Sequence, residues 1–546
     1  MSDQPIHEVE EPPLDVRGIL LRLGPGLIIA ASIVGSGELI ATTKTGAEAG
    51  FWLLWLIIVG CVIKVFVQVE LGRDAIVRGK TTLDALGEVP GPRVNGRGNW
   101  LVWYYFLMFA ASSAQLGAII GGVGQAMAIS APVTEDGRQF NRQLDVVARQ
   151  AVVEAELRTA QKQPAGSEKR SEQVLALQTE LGDLAARRAA FENERKTDKP
   201  FWTDDKIWAT IIAVVTSALL VVGRYGLIQN LATAMVAIFT LMTVVNVLML
   251  QNTQAWAIRW QDLADGLRFR LPPADAPGGN TALLTALKTF GIIGVGASEL
   301  ISYPYWCLEK GYARFTGPRD KSDSWAARAR GWMTVMRWDA WCSMVIYTIA
   351  TVAFYLLGAA ILSRSGLVPE DRDLIRTLNV MYEPVFGSWA KILFLLGSFA
   401  VLYSTFFVAN AGNARVFSDA LRVMGLAGPS PAAHRIRVKW LSGILPLVCL
   451  VLYLIIPTTP AQLVLLSGMM QALMLPMLAG AALYFRYTKS DSRVTPGRLW
   501  DAFLWISSIG MLISACVLGY GEVKKFLPKQ PAASPPAATQ PVEKTP

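Results

Sequence analysis

Two stretches decide how this chain is read: Val34-Gly35-Ser36-Gly37-Glu38-Leu39-Ile40 and, 261 residues later, Val295-Gly296-Ala297-Ser298-Glu299-Leu300-Ile301. Five of the seven positions are identical, and each copy sets a glutamate among small residues inside an apolar run. Glycine weakens a helix by about 1 kcal/mol relative to alanine, so each run is expected to break there. Bared carbonyl oxygens are tolerated at bilayer depth only where they line a cavity. A motif repeated at the start of each half points to inverted repeats, with the binding site where the discontinuous helices meet. Two carboxylates brought together repel unless a cation or a proton sits between them. With glycine carbonyls and serine hydroxyls they make a hard-oxygen cation site. The candidate metal ligands are therefore Gly35, Ser36 and Glu38 from the first copy and Gly296, Ser298 and Glu299 from the second. The plainer alternative pairs a glutamate with Lys64 or Lys44, or has Lys64 snorkel or pair with Glu70.

Outward from these motifs, 52% of the 546 residues are hydrophobic. About 20 apolar residues span a bilayer core, and the chain offers about eleven such runs, near 24–45, 51–71, 100–130, 207–223, 227–250, 286–305, 333–362, 389–413, 440–457, 461–485 and 500–520. No soluble core could bury them all. The expected fold is all-α: a polytopic membrane protein with two inverted five-helix repeats and one helix over. The chain divides into a disordered tail (1–16), spans one to three (17–130), an extramembrane insertion (131–205), spans four to eleven (206–521) and a Pro/Ala-rich disordered tail (522–546).

Charge sets the expected orientation. Alternate connections carry Arg73, Arg78, Lys80, Arg93 and Arg97, then Lys310, Arg314, Arg319, Lys321, Arg328 and Arg330, and later Arg415, Arg422, Arg435, Arg437, Lys439, Arg486, Lys489, Arg493 and Arg498. The opposite connections are poorer in Lys and Arg. By the positive-inside rule the N-terminus lies in the cytoplasm and the C-terminus outside, in a cell (inner) membrane. These loops account for the net charge of +9, and nucleic acid is not a partner it implies. Residues 1–16 are polar and acidic, so the first apolar run is expected to stay as a helix and not be removed as a leader.

The five cysteines lie in or beside apolar segments without CxxC spacing, so neither a disulfide framework nor a zinc site is expected. His7 and His434 are the only histidines, and both fall outside the spans. No nucleophile–base pair, phosphate loop or redox motif stands out, which argues against an enzyme. In the insertion, Val174, Leu177, Leu181, Leu184 and Phe191 recur at alternating three- and four-residue spacing, with Arg188 in the gap. Phe140, Leu144, Val147 and Ala151 give a weaker stripe before Gln163-Pro164-Ala165-Gly166. That pattern predicts a helical hairpin on the outer face, either a solvated appendage or a contact for a protein partner or a second copy.

At these residues the sequence resembles the Nramp family of divalent-metal transporters, within the superfamily of LeuT-like architecture. Gly46-Ala47-Glu48-Ala49-Gly50-Phe51 leading into Leu53-Leu54-Trp55 is similar to the family's first turn. Gly291-Ile292-Ile293-Gly294 resembles the entry to its sixth span, Tyr347 to Gly358 its seventh, and Leu475-Pro476 fits its tenth. The functional motifs depart. The family's Asp-Pro-Gly-Asn falls on Gly35-Ser36-Gly37-Glu38, and its Met-Pro-His on Ser298-Glu299-Leu300. Its acidic pair in the third span falls on Gln115 and Ala118. The metal-contacting Gln of its tenth span falls on Gly468, with Gln471 one turn away. The resemblance implies a divalent cation as cargo and no cofactor. The missing thioether and histidine imply a hard cation, Mg- or Mn-like, as in the Nramp-related branch that carries magnesium. A carrier of a small organic cation or amino acid stays open on the same fold, as does a receptor or scaffold built on the 131–205 hairpin.

Overall fold

The computed structural model describes residues 9–94, 96–161, 168–193, 202–223, 225–253, 255–273, 279–369 and 373–526. Residues 1–8 and 527–546, the hairpin's expected break at 163–166 and the side chain of Ser36 lie outside the described residues. Among the described residues, nine helices are long and apolar enough to cross a membrane. Strand is confined to a short antiparallel ribbon, Arg93–Val94 with Arg97–Asn99. The chain is a multi-pass helical membrane protein. Its first and sixth apolar runs are not single helices.

The first run begins as helix Pro25–Ile33, with proline in the first turn where its missing N–H is harmless. It breaks at Val34 and Gly35 (φ −150°, ψ −117°), resumes as a π-helix over Ser36–Thr42 and closes with helix Thr43–Ala49. Wide π turns leave backbone carbonyls poorly served, and threonines serve two of them here. Thr42 donates to the Gly37 carbonyl at 2.9 Å and Thr43 to the Glu38 carbonyl at 3.4 Å. The sixth run is helix Gly279–Phe290, a non-helical turn with Gly294 at φ +56°, and helix Ala297–Lys310. Only glycine takes that left-handed conformation without strain.

Close backbone approaches lock these pieces in place. A Cβ on Gly291 would lie 2.0 Å from the Gly468 carbonyl, and one on Gly468 would lie 2.4 Å from the Lys288 carbonyl. The sixth and tenth spans therefore touch backbone to backbone. Gly46 likewise presses on the Tyr355 carbonyl, and Gly358 on that of Thr43. The two stretches that carried the family resemblance near the first and seventh spans thus pack on one another. Buried Asp339, from helix Asp323–Leu357, accepts from the N–H of Gly24 at 2.9 Å and of Gly26 at 2.5 Å. It caps the first half-helix, whose free N–H groups and dipole favour a carboxylate. Tyr303, in the second half of the sixth run, donates to the same carboxylate at 3.1 Å, so one aspartate ties both broken runs together.

The insertion contains helices Glu135–Gln161 and Glu168–Asn193. Val174, Leu177, Leu181 and Leu184 form the seam on the second helix, and the first answers with Val146, Val153, Leu157 and Ala160. The stripe read as Phe140, Leu144, Val147 and Ala151 is not that seam; Phe140 and Val147 are exposed. The first helix has two apolar faces, since Val152 and Ala155 join the core of the membrane body. The two periodicities overlap in one sequence, and the spacing alone did not separate them. Where the expected tail 1–16 is described, it is docked. Glu10 donates its N–H to the Phe315 carbonyl at 3.1 Å, and its own carbonyl accepts from Trp332 at 2.9 Å.

Candidate functional site

Both breaks face one cavity in the body of the helix bundle, with apolar walls such as Ile29, Ile33, Leu116 and Ile119 and a cluster of polar groups. Gly37 lines it from the first run, and Ile292, Ser298, Glu299 and Ser302 from the sixth. The third span adds Ser112 and Gln115, the eighth Thr405 and Asn413, and the tenth Gln471. Its volume of about 60 Å³ has room for about four water molecules. That suits an ion with part of its hydration shell, or a very small organic molecule.

Glu299 is the carboxylate in this lining. It lies in the first turn of helix Ala297–Lys310, half-buried, so the helix dipole supports its charge. Beside it, Gln471 accepts from the Ser298 N–H at 3.1 Å and donates to Gln115 at 3.3 Å and to Ser467 at 3.2 Å. Ser112 lies 3.2 Å from the Ser298 hydroxyl. Amide and hydroxyl oxygens from four elements thus converge around a single acid, a set that suits hard cations. Gln115 and Ala118, the positions on which the resemblance lays the third-span acidic pair, are respectively joined to this network and buried.

Glu38 is placed differently. It is fully buried and does not line the cavity. Its Oε1 accepts from the N–H of Gly294 at 3.2 Å and from the hydroxyl of Thr351 at 3.2 Å. Its Oε2 has no hydrogen-bond partner among the described residues. The first-run glutamate thus holds the turn of the sixth run from behind.

The other expected ligands are brought to the same junction with their carbonyls already engaged. The Gly35 carbonyl accepts from the Leu39 N–H at 2.8 Å, and that of Gly296 from the Leu300 N–H at 2.9 Å. Both begin the helix that follows, which leaves one lone pair each. Gly35 itself abuts Thr405, with no room for a Cβ. The serine of the first copy, Ser36, is described only in its backbone.

Lys64 neither snorkels nor pairs with Glu70. It is fully buried and donates to the carbonyls of Phe290 and, at 2.7 Å, Ile293. Glu70 takes Arg73 at 3.2 Å and the Trp500 indole at 2.6 Å instead. Lys44 pairs with Glu48 at 2.9 Å. Polar residues inside apolar runs were the available signal for Ser112, Thr351, Thr405 and Asn413, which motif reasoning passed over. Gly468 could not host the tenth-span glutamine at all, because it touches the sixth-run backbone; Gln471, one turn on, reaches the site. Among the described residues, no three His, Cys, Asp or Glu side chains cluster as a ready-made metal cage.

Ile28, Trp306 and Val408 also line a second cavity of about 290 Å³. Arg415 and Glu309 border the latter, paired at 2.5 Å, with the Arg415 guanidinium 5.1 Å from the Trp306 ring centre. Lys310 and Arg415, from two of the Arg/Lys-rich connections, line this second cavity.

Comparison with known proteins gives one consistent answer. The family profile described as "Natural resistance-associated macrophage protein-like" (Nramp) matches residues 197–520. A metal transporter named Nramp2 from Populus trichocarpa is 32% identical over 119 residues, covering 22% of this chain and 20% of that protein. The divalent metal cation transporter MntH of Mycobacterium tuberculosis is 28% identical over 100 residues, 18% of this chain and 22% of its own length. The aligned stretches thus span about a fifth of these relatives. In three dimensions the chain is similar to a manganese transporter of Eremococcus coleocola. The match has a TM-score of 0.56 and 14% identity and covers 96% of this chain and 92% of that one; at that identity the likeness speaks for the fold.

Proposed function

This chain belongs to the Nramp family, and from that premise we propose that it moves a hard divalent metal cation, Mg- or Mn-like, across the membrane by alternating access. The observation that carries the proposal is Glu299: one carboxylate facing a small cavity where two broken helices meet, ringed by amide and hydroxyl oxygens. Ser298, Gln471 and Gln115 are its partners at the cargo, and Gly35, Ser36 and Gly296 frame the cavity. Glu38 contributes charge from behind the sixth-run turn. Carboxylate, amide and hydroxyl oxygen suit Mg²⁺ or Mn²⁺, whereas soft ions favour sulfur. The metal is cargo, and no cofactor enters the proposal. In this proposal the protein sits in the cell membrane with its N-terminus in the cytoplasm, and the second cavity beyond Trp306 lies on the inward path.

Calorimetry on the purified protein tests the ion class. Mn²⁺ and Mg²⁺ are expected to bind, and Glu299→Gln to weaken that binding at least about tenfold, a loss of about 1.4 kcal/mol. Tight Cd²⁺ binding with little Mn²⁺ or Mg²⁺ binding would overturn the ion class. A carrier of a small organic cation is the second reading, favoured by the single cavity carboxylate; uptake of an amine without any metal flux would decide for it. Coupling to protons through a relay is not expected, since His434 lies outside the cavity, on Ser418, and Gln115 stands in place of an acid.

A further inference from the structure

The break in the sixth run holds a charge that cargo binding does not use. Lys64 stands where the second span divides into helices Leu54–Val62 and Lys64–Arg78. Its ammonium bonds the Phe290 and Ile293 carbonyls, both beside the non-helical turn, and lies 4.7 Å from the centre of the Phe290 ring. On the same turn, Glu38 accepts the Gly294 N–H, with its second oxygen unpartnered among the described residues. Carbonyl oxygens and an aromatic face are groups that hold a dehydrated monovalent cation. A buried ammonium without such partners would be strongly disfavoured.

We propose that Lys64 is a resident cation: the carbonyls of the sixth-run turn and the Phe290 ring form a seat for a monovalent cation, and the Lys64 side chain fills it. The second and sixth runs are thereby held together without a free ion. The class of ligand the seat takes when vacated is ammonium or a short alkylammonium, because the Phe290 ring favours a weakly hydrated cation over Na⁺. Propylammonium reproduces the side chain beyond Cβ. The inference does not depend on the identity of the cargo.

The test is thermal unfolding of the purified full-length chain in detergent, with propylammonium, ammonium, sodium or choline chloride added. The wild-type midpoint should respond alike to all four salts. Lys64→Ala should unfold about 5 °C or more lower and recover at least half of that shift with propylammonium, less with sodium and none with choline. Lys64→Met, similar in length but uncharged, should unfold low and recover with no salt. A wild-type midpoint for Lys64→Met, or a Lys64→Ala deficit that no cation reverses, would overturn the proposal. If Lys64→Ala yields no folded protein, Lys64→Arg and Lys64→Met decide. Arginine should fold and methionine should fall short of it; the reverse order would refute a resident cation.

Discussion

A glutamate that meets water and one sealed in protein are held by different forces, and Glu299 and Glu38 divide along that line. Glu299 borders the cavity with helix N–H groups behind it, so its charge is available to an incoming cation. Glu38 is committed to Gly294 and Thr351. Glu299→Gln should therefore leave the protein as stable as before while uptake of Mn²⁺ falls at least about a hundredfold, about 2.7 kcal/mol. Glu38→Gln should lower stability as well, by about 1–3 kcal/mol, because it weakens a buried, charge-assisted bond to the sixth-run turn. Parallel melting and uptake measurements separate the two; equal melting of both variants would contradict the division. Gly291→Ala offers an independent check on the frame. Its methyl would collide with the Gly468 carbonyl, and overpacking of this kind costs about 1–3 kcal/mol, read as a lowered midpoint. The glutamates were legible because their context repeats, and both do reach one junction. That Glu38 faces away from the cavity was not legible: one turn of π-helix rotates the following residues, and periodicity taken from an α-helix cannot foresee it.

The broken helices, like the long ones, came from apolar length and glycine content, which act locally. The hairpin shows where local reading stops. On its second helix Val174, Leu177, Leu181 and Leu184 do form a seam, while Phe191, expected to extend the stripe, is not part of it. Its first helix serves two partners, which the spacing alone did not separate. The base of the hairpin is anchored to the membrane body. Asp204 accepts from the Val133 N–H at 2.7 Å and the Thr134 hydroxyl at 2.7 Å. Asp145 pairs with buried Arg376 and, at 2.8 Å, with Lys391. Arg376 lies in helix Leu374–Asn379, ahead of the eighth span. Asp145→Asn is expected to lower stability by about 1–2 kcal/mol, the modest end for charged partners since Asp145 is 43% exposed. Replacing 135–200 with a short linker should preserve Mn²⁺ flux in protein that still inserts. Loss of flux in such protein would mean that the hairpin takes part in gating.

On the scale of the whole molecule, charged groups from distant connections meet in ion-pair networks. One gathers the Arg/Lys-rich connections into a web. Glu88 accepts from Arg78 at 2.5 Å and from Lys80, with Lys489 at 3.6 Å, and Arg422 bridges Asp84 at 2.5 Å and Asp419 at 2.6 Å. Partial burial works against the Glu88 charge, yet these cations pull its pKa down to about 2. A carboxyl depressed in the folded state stabilises it above the unfolded value near 4.3 and loses that contribution as pH falls toward the folded one. Stability of this web should hold at neutral pH and fall between about pH 4.3 and 2. Glu88→Gln should flatten that part of the acid profile. The central claim, that the cavity at Glu299 carries a hard divalent cation, is met most directly by flux. Wild-type protein in liposomes should take up Mn²⁺ and Mg²⁺ in a saturable way, and Glu299→Gln should not. Wild-type liposomes that pass no Mg²⁺, Mn²⁺, Ca²⁺ or Fe²⁺, or a Glu299→Gln variant that transports as well as wild type, would contradict it.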